Sequence, residues 1–157
     1  MKTVIIGLGN PILRDDGVGI QVVRRLRKEF ADSGDTEFLE LSVGGFRLME
    51  AMVGYQRSII VDAMVTDQHE PGTLREFTLQ TLVSTKNTCC SHDSSLKHAF
   101  EAGETLGLSL PTMVRILGIE AKDIVTFGED LTPAVEAAIP RAIEKIRSFM
   151  NERGNDA

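Results

Sequence analysis

Hydrophobic residues in this chain gather in short unbroken runs, separated by stretches where apolar positions recur every three or four residues. Residues 2–7 (KTVIIG) form a β-branched run closing on glycine and predict a buried strand. Over 16–30, Val18, Ile20, Val22, Val23 and Leu26 interleave with Arg24, Arg25, Arg27 and Lys28. That pattern predicts an amphipathic helix with acids at its start and bases at its end, as the helix dipole favours. Residues 31–35 read as a polar turn and 37–41 as a short second strand. Gly44-Gly45 breaks the chain, and Leu48, Met49 and Met52 give a second helix over 46–52. Residues 58–63 (SIIVDA) are apolar enough for a central strand, with Asp62 near its end.

Beyond it, Glu70-Pro71-Gly72 is a turn, and 73–78 reads as an antiparallel excursion. Residues 80–91 are polar and irregular, a loop of functional length. A third helix is expected over 94–106 and a late strand over 112–119. Thr132 is placed as the N-cap of a last helix with Pro133 in its first turn, running to about Asn151. Pro140 within it predicts a kink or break near Ala138 and Ile139. Strands alternating with helices imply an α/β fold: a three-layer sandwich whose twisted, mostly parallel sheet carries helices on both faces and one antiparallel excursion. The 157 residues suit a single domain over 1–153, with a frayed end at 154–157.

Charge and composition narrow the function. The formal net charge is −6, with 23 acidic against 17 basic residues, which argues against nucleic acid as a partner, since that requires neutralising phosphates. No run approaches the roughly 20 apolar residues of a membrane span, so no membrane partner is expected. Met1-Lys2 leads straight into a strand, an opening that predicts no signal peptide. The only cysteines, Cys89 and Cys90, are adjacent, and a bridge between neighbours closes no useful loop. A reducing, cytoplasmic location is the resulting expectation.

The chemistry concentrates where the first strand ends. A glycine-rich turn at that place usually cradles phosphate with bare amides, but here Gly7-Leu8-Gly9-Asn10-Pro11 runs on into Asp15 and Asp16. Carboxylates repel phosphate and attract cations. In open α/β sheets ligands bind beyond the C-terminal ends of the strands, where three groups are expected to converge: Asp16 after strand one, Asp62 in strand three, and His92 in the loop before the third helix. Two carboxylates and an imidazole suit a borderline divalent ion such as nickel, zinc or cobalt, with coordination positions left open. Structural readings stand beside these. Asp15 and Asp16 also fit as caps of the first helix, and Asp93 and Ser94 as caps of the third. His69 fits a solvated turn; His98 sits within a helix and need not share a face with His92. Cys89 and Cys90 read as a loop pair, because no second cysteine cluster completes a zinc site. The dinucleotide fingerprint fails at Ile12, where its third glycine belongs, and neither a GxSxG elbow nor HExxH occurs.

Taken in order, GLGNPILRDDGVG at 7–19, IIVDA at 59–63, SHDSSL at 91–96 and LTPAVEAAI at 131–139 resemble the hydrogenase maturation proteases over nearly the full length. That resemblance implies an endopeptidase that removes a C-terminal extension from the large subunit precursor of an [NiFe] hydrogenase. Nickel held by the precursor's cysteines would be the recognition feature, and no organic cofactor is implied. The family's metal-binding positions carry over onto Asp16, Asp62 and His92, which are also the expected catalytic positions, and substrate contact is expected at Asn10, Asp15, Gly44 and Gly45. The position matching Asp16 is often Glu in the family; Asp is one methylene shorter. Two other readings compete. One is a non-catalytic, nickel-dependent maturation chaperone. The other is an enzyme similar to the peptidyl-tRNA hydrolases, whose GLGNPG opening resembles residues 7–11 but meets Ile12 instead of glycine, in an acidic chain.

Overall fold

The apolar runs become two strands buried along their whole length, β1 (Thr3–Leu8) and β3 (Arg57–Met64). They lie side by side in the middle of the sheet because only there are both faces of a strand covered. The computed structural model describes residues 1–30, 34–82, 85–87 and 96–152. In chain order its other elements are α1 (Val18–Glu29), β2 (Thr36–Leu41), α2 (Gly45–Ala51), β4 (Leu74–Phe77), α3 (Leu96–Thr105), β5 (Met113–Glu120) and α4 (Pro133–Asn151).

The five strands lie in the order β2-β1-β3-β5-β4, all parallel except β4, which pairs antiparallel with β5 at the edge. One apolar layer joins α1 and α4 to the sheet through Val22, Leu26, Ile59, Leu117, Ile139 and Ile146. The opposite layer joins α2 and α3 through Leu48, Met52, Ile6, Ile60, Leu96 and Phe100. The fold is thus the expected three-layer α/β sandwich with one antiparallel excursion. From β1 the chain moves outward to β2 on one side, then returns to β3 on the other. A crevice opens where strand order reverses in this way, above the C-terminal ends of β1 and β3. No helix among the described residues is long and apolar enough to cross a membrane.

Glycines seat α1 on that crevice. A Cβ at Gly19 would meet the Val61 carbonyl oxygen at 2.2 Å and that of Leu8 at 2.8 Å, so the start of α1 touches the backbone of both central strands. Gly9, at φ 139°, has the Asp16 carbonyl oxygen 1.8 Å from where a Cβ would stand. The glycines after β1 therefore serve close packing of helix on sheet, which holds the acidic turn against the strand ends.

Three expectations need correction. The first helix does not begin at Asp16: residues Arg14–Gly17 form a 3-10 turn, and α1 starts at Val18 with Gly17 as its uncapped first boundary. Asp15 and Asp16 turn their carboxylates inward to other donors, so neither caps α1. Thr132 does stand at the N-cap position of α4, but its hydroxyl donates to Asp15 and makes no cap bond. The helix does not break at Pro140; α4 runs continuously from Pro133 to Asn151. Pro140 lies on the exposed face of α4, as does Glu136, whose carbonyl loses its helical donor there and can turn to water. The expectations for Ala31, the Cys89-Cys90 pair, the Asp93 and Ser94 caps and the 154–157 end fall outside the described residues.

Candidate active site

Asp62 is the sixth residue of β3 and lies at the switch point, fully buried. A carboxylate in such a place must find donors, and it finds four. Oδ1 accepts the Ala63 N–H at 2.9 Å and the Asn87 Nδ2 at 2.9 Å; Oδ2 accepts the Thr85 hydroxyl at 2.7 Å and the Asn87 N–H at 2.6 Å. Burial nevertheless pushes the carboxyl up to about 7; the hydrogen bonds from Asn87 and Thr85 oppose that rise, and the nearby Asp16 adds to it.

Asp16, in the 3-10 turn after β1, is 2% exposed. Its Oδ2 accepts the Asn10 N–H at 3.1 Å, and its Oδ1 accepts the same Asn87 Nδ2 at 2.7 Å. One amide nitrogen therefore bridges the two acids. The pair that the sequence places at this rim does meet there. His92 lies outside the described residues, and among the described residues no three His, Cys, Asp or Glu side chains group as a metal-holding cluster.

The expected substrate-facing residues divide. Asn10 stands at the rim, its N–H on Asp16 and its Oδ1 accepting the Ile12 N–H at 3.1 Å. Gly44 and Gly45 lie past the end of β2, where Gly45 takes φ 60° as α2 begins. Asp15 turns away from the crevice: it is fully buried, and its oxygens accept the N–H groups of Lys122, Asp123 and Thr132 and the Thr132 hydroxyl. In this structure it braces the fold.

Sequence reasoning missed Asn87 and Thr85, which lay unremarked in the polar 80–91 loop. The available signal was the cost of Asp62 itself: a buried acid in an apolar strand requires donors, and a polar loop later in the chain supplies them. Glu120 was also missed. It closes β5, is 2% exposed, and accepts the N–H groups of Thr66 and Asp67 and the Thr66 hydroxyl, fixing the loop that leaves β3.

A parallel sheet whose switch point is lined by buried acids in place of a phosphate cradle defines a doubly wound α/β protein with an acidic crevice. A family model described as hydrogenase maturation protease (HycI) matches residues 20–148, and the chain belongs to that family of peptidases. Among curated proteins it is 28% identical over 160 residues to the hydrogenase 2 maturation protease of Escherichia coli, across 100% of this chain and 95% of that protein. Among solved structures it is similar to the hydrogenase maturating endopeptidase HybD from E. coli, with TM-score 0.81 and 25% identity over 98% of this chain and 94% of that one. It is also similar to an [NiFe] hydrogenase maturation protease, HybD from Thermococcus kodakarensis, with TM-score 0.69 and 27% identity over 95% and 99% of the two chains. The family model begins just after Asp16, but the full-length similarity to the E. coli protease spans that turn as well.

Proposed function

We propose that this peptidase removes a C-terminal extension from the nickel-loaded large subunit precursor of an [NiFe] hydrogenase. Asp16, Asp62 and His92 grip the nickel through positions left open by the precursor's own cysteines. The ion is part of the substrate: it marks a precursor ready for cleavage and fixes the tail in the crevice, where orientation lowers the barrier. The observation that carries this reading is the meeting of Asp16 and Asp62 on one bridging nitrogen at the switch point. Two acids held this close attract a cation, and no phosphate cradle competes for the place.

The rim supports a protein substrate. Large apolar side chains are exposed in the segments that follow the strand ends there: Ile12, Val43, Val65, Val125 and Phe127 in loops and Phe46 in the first turn of α2. Phe127 and Val125 are 81% and 78% exposed, and such a ring around an acidic crevice suits docking of another folded chain. A reducing cytoplasm, the reading drawn from Cys89-Cys90, suits a substrate whose thiolates must hold an ion.

The test incubates the purified protein with nickel-loaded and nickel-free precursor and weighs the products. A C-terminal peptide lost only from the nickel-loaded form is the expected result. A tight complex with intact precursor would instead establish a chaperone and overturn the proteolytic reading. Asp62→Asn and His92→Ala should each remain folded and slow processing by about two orders of magnitude or more. Normal rates in both would remove the site assignment.

A further inference from the structure

Asn87 occupies the acid pair in a manner that no motif in the chain accounts for. Its Nδ2 donates to Asp16 Oδ1 at 2.7 Å and to Asp62 Oδ1 at 2.9 Å, while its backbone N–H donates to Asp62 Oδ2 at 2.6 Å. Only the nitrogen end of the amide can face two carboxylate oxygens, because its oxygen would be one more acceptor among acceptors. The side chain thus fills the place between two anionic oxygens that any cation bridging them must take.

We propose that Asn87 guards the acid pair against free divalent ions, so that the pair opens only to an ion delivered within a docked precursor. The proposal rests on the reading that Asp16 and Asp62 receive the substrate's nickel, and it adds the device that selects delivered over free metal. An unaccompanied ion must shed water and break two charge-assisted hydrogen bonds to reach the oxygens. The precursor brings docking contacts that offset this cost.

The surroundings fit a displaceable guard. The acids are closed off, at 2% and 0% exposure, whereas Asn87 is half-buried and reaches them from the solvent side. Residues 85–87 belong to no helix or strand. A backbone bond from the Lys86 N–H to the Ala63 carbonyl at 2.9 Å keeps the segment at the strand end without engaging the Asn87 side chain. Without the amide, two buried like charges would face each other with nothing between them, an arrangement that a cation relieves. Removing the guard therefore raises affinity for free metal. A residue that merely positioned the acids would have the opposite effect when removed.

The experiment titrates Ni2+ alone into the wild-type protein, Asn87→Ala and the double variant Asn87→Ala/Asp16→Asn by calorimetry at fixed pH, with thermal melts to verify folding. Asn87→Ala should bind Ni2+ at least about tenfold more tightly than wild type, and the added Asp16→Asn should abolish that gain. Asn87→Ser, which cannot reach both acids, replaces Asn87→Ala if the alanine variant does not fold. Free Ni2+ should also inhibit precursor processing by the variant at a concentration at least about tenfold lower than for wild type. A folded variant that binds Ni2+ no more tightly than wild type overturns the proposal. If wild type cleaves nickel-loaded precursor while the affinities are equal, the guard alone fails. If neither cleaves but the variant binds more tightly, the guard stands and the proteolytic reading fails.

Discussion

The Asp15 carboxylate accepts both the backbone N–H and the hydroxyl of Thr132, at 2.8 and 2.7 Å, across 117 positions of chain. It also takes the N–H groups of Lys122 and Asp123, at 2.9 and 3.0 Å. One fully buried side chain thereby ties the turn after β1 to the loop after β5 and to the N-cap residue of α4. The negative charge sits at the N-terminus of that helix, where its dipole favours an anion. Asp15→Asn keeps the shape but replaces one acceptor oxygen with a donor facing N–H groups. We expect a loss of about 2–4 kcal/mol, read from urea denaturation with unchanged slope. Thr132→Val, which removes only the hydroxyl, should cost about 1–2 kcal/mol. Wild-type stability in Asp15→Asn would contradict the bracing role.

Gly19→Ala tests the contact that seats the acidic turn. The new methyl would stand 2.2 Å from the Val61 carbonyl oxygen and 2.8 Å from that of Leu8. Both obstacles are backbone, so α1 must lift as a body. We expect a loss of about 2–3 kcal/mol, together with slower precursor processing, because Asp16 moves with the helix. Gly34→Ala, where nothing lies within 4 Å, should stay within about 0.5 kcal/mol of wild type. Equal melting of the two variants would remove the argument from close packing.

Much of this architecture was legible because it rests on local patterns. The TVII run read as a buried strand and the SIIV run as a central one from composition, and 73–78 read as the antiparallel excursion that β4 forms. Asp62 was legible as an anomaly, an acid inside an apolar strand. What could not be read depended on partners distant in sequence. Asp15 and Asp16 are neighbours with equal claims to cap a helix, yet one faces Thr132 and the other Asn87, a division made by the packing of α1 and α4 and not by the turn itself. Asn87 lies in no motif, and only the cost of burying Asp62 pointed toward a donor somewhere in the polar loop. The expected break at Pro140 did not form because a proline on the exposed face of a long packed helix leaves the Glu136 carbonyl to water, and the buried face, from Val135 to Phe149, holds the helix together.

Arg57 provides a stability test away from the crevice. It is 6% exposed at the opposite end of β3, and its guanidinium donates to the carbonyls of Phe149, Met150 and Glu152. Those carbonyls lie at the end of α4, where helical donors run out and a cation is favourable. Arg57→Met keeps an apolar stem but no donors. We expect about 1–3 kcal/mol lower stability and faster proteolysis of the last turn of α4, with precursor processing at low temperature unchanged. Loss of processing in a folded Arg57→Met protein would mean that the two ends of the sheet are coupled.

Asp62 should make stability and activity respond to pH in opposite directions. Its carboxyl is raised from an ordinary 3.8 to about 7 in the folded protein, chiefly by burial. Below the unfolded value both states are protonated, and the stabilising contribution is fully present. Between the two values the folded state keeps a proton that the unfolded chain releases, so stability declines as pH rises and the contribution is lost through about 7. Asp62→Asn cannot titrate, so its melting temperature should gain on that of wild type between about pH 4 and about pH 7, while contributions from all other groups cancel in the comparison. Capture of a cation runs the other way, since it needs the ionised carboxylate and a neutral His92. Processing of nickel-loaded precursor should therefore climb over the same interval in which the wild-type protein becomes less stable. A constant melting difference between wild type and Asp62→Asn across that interval would show that Asp62 is ionised throughout, and the climb in activity would then have to be assigned to His92 alone.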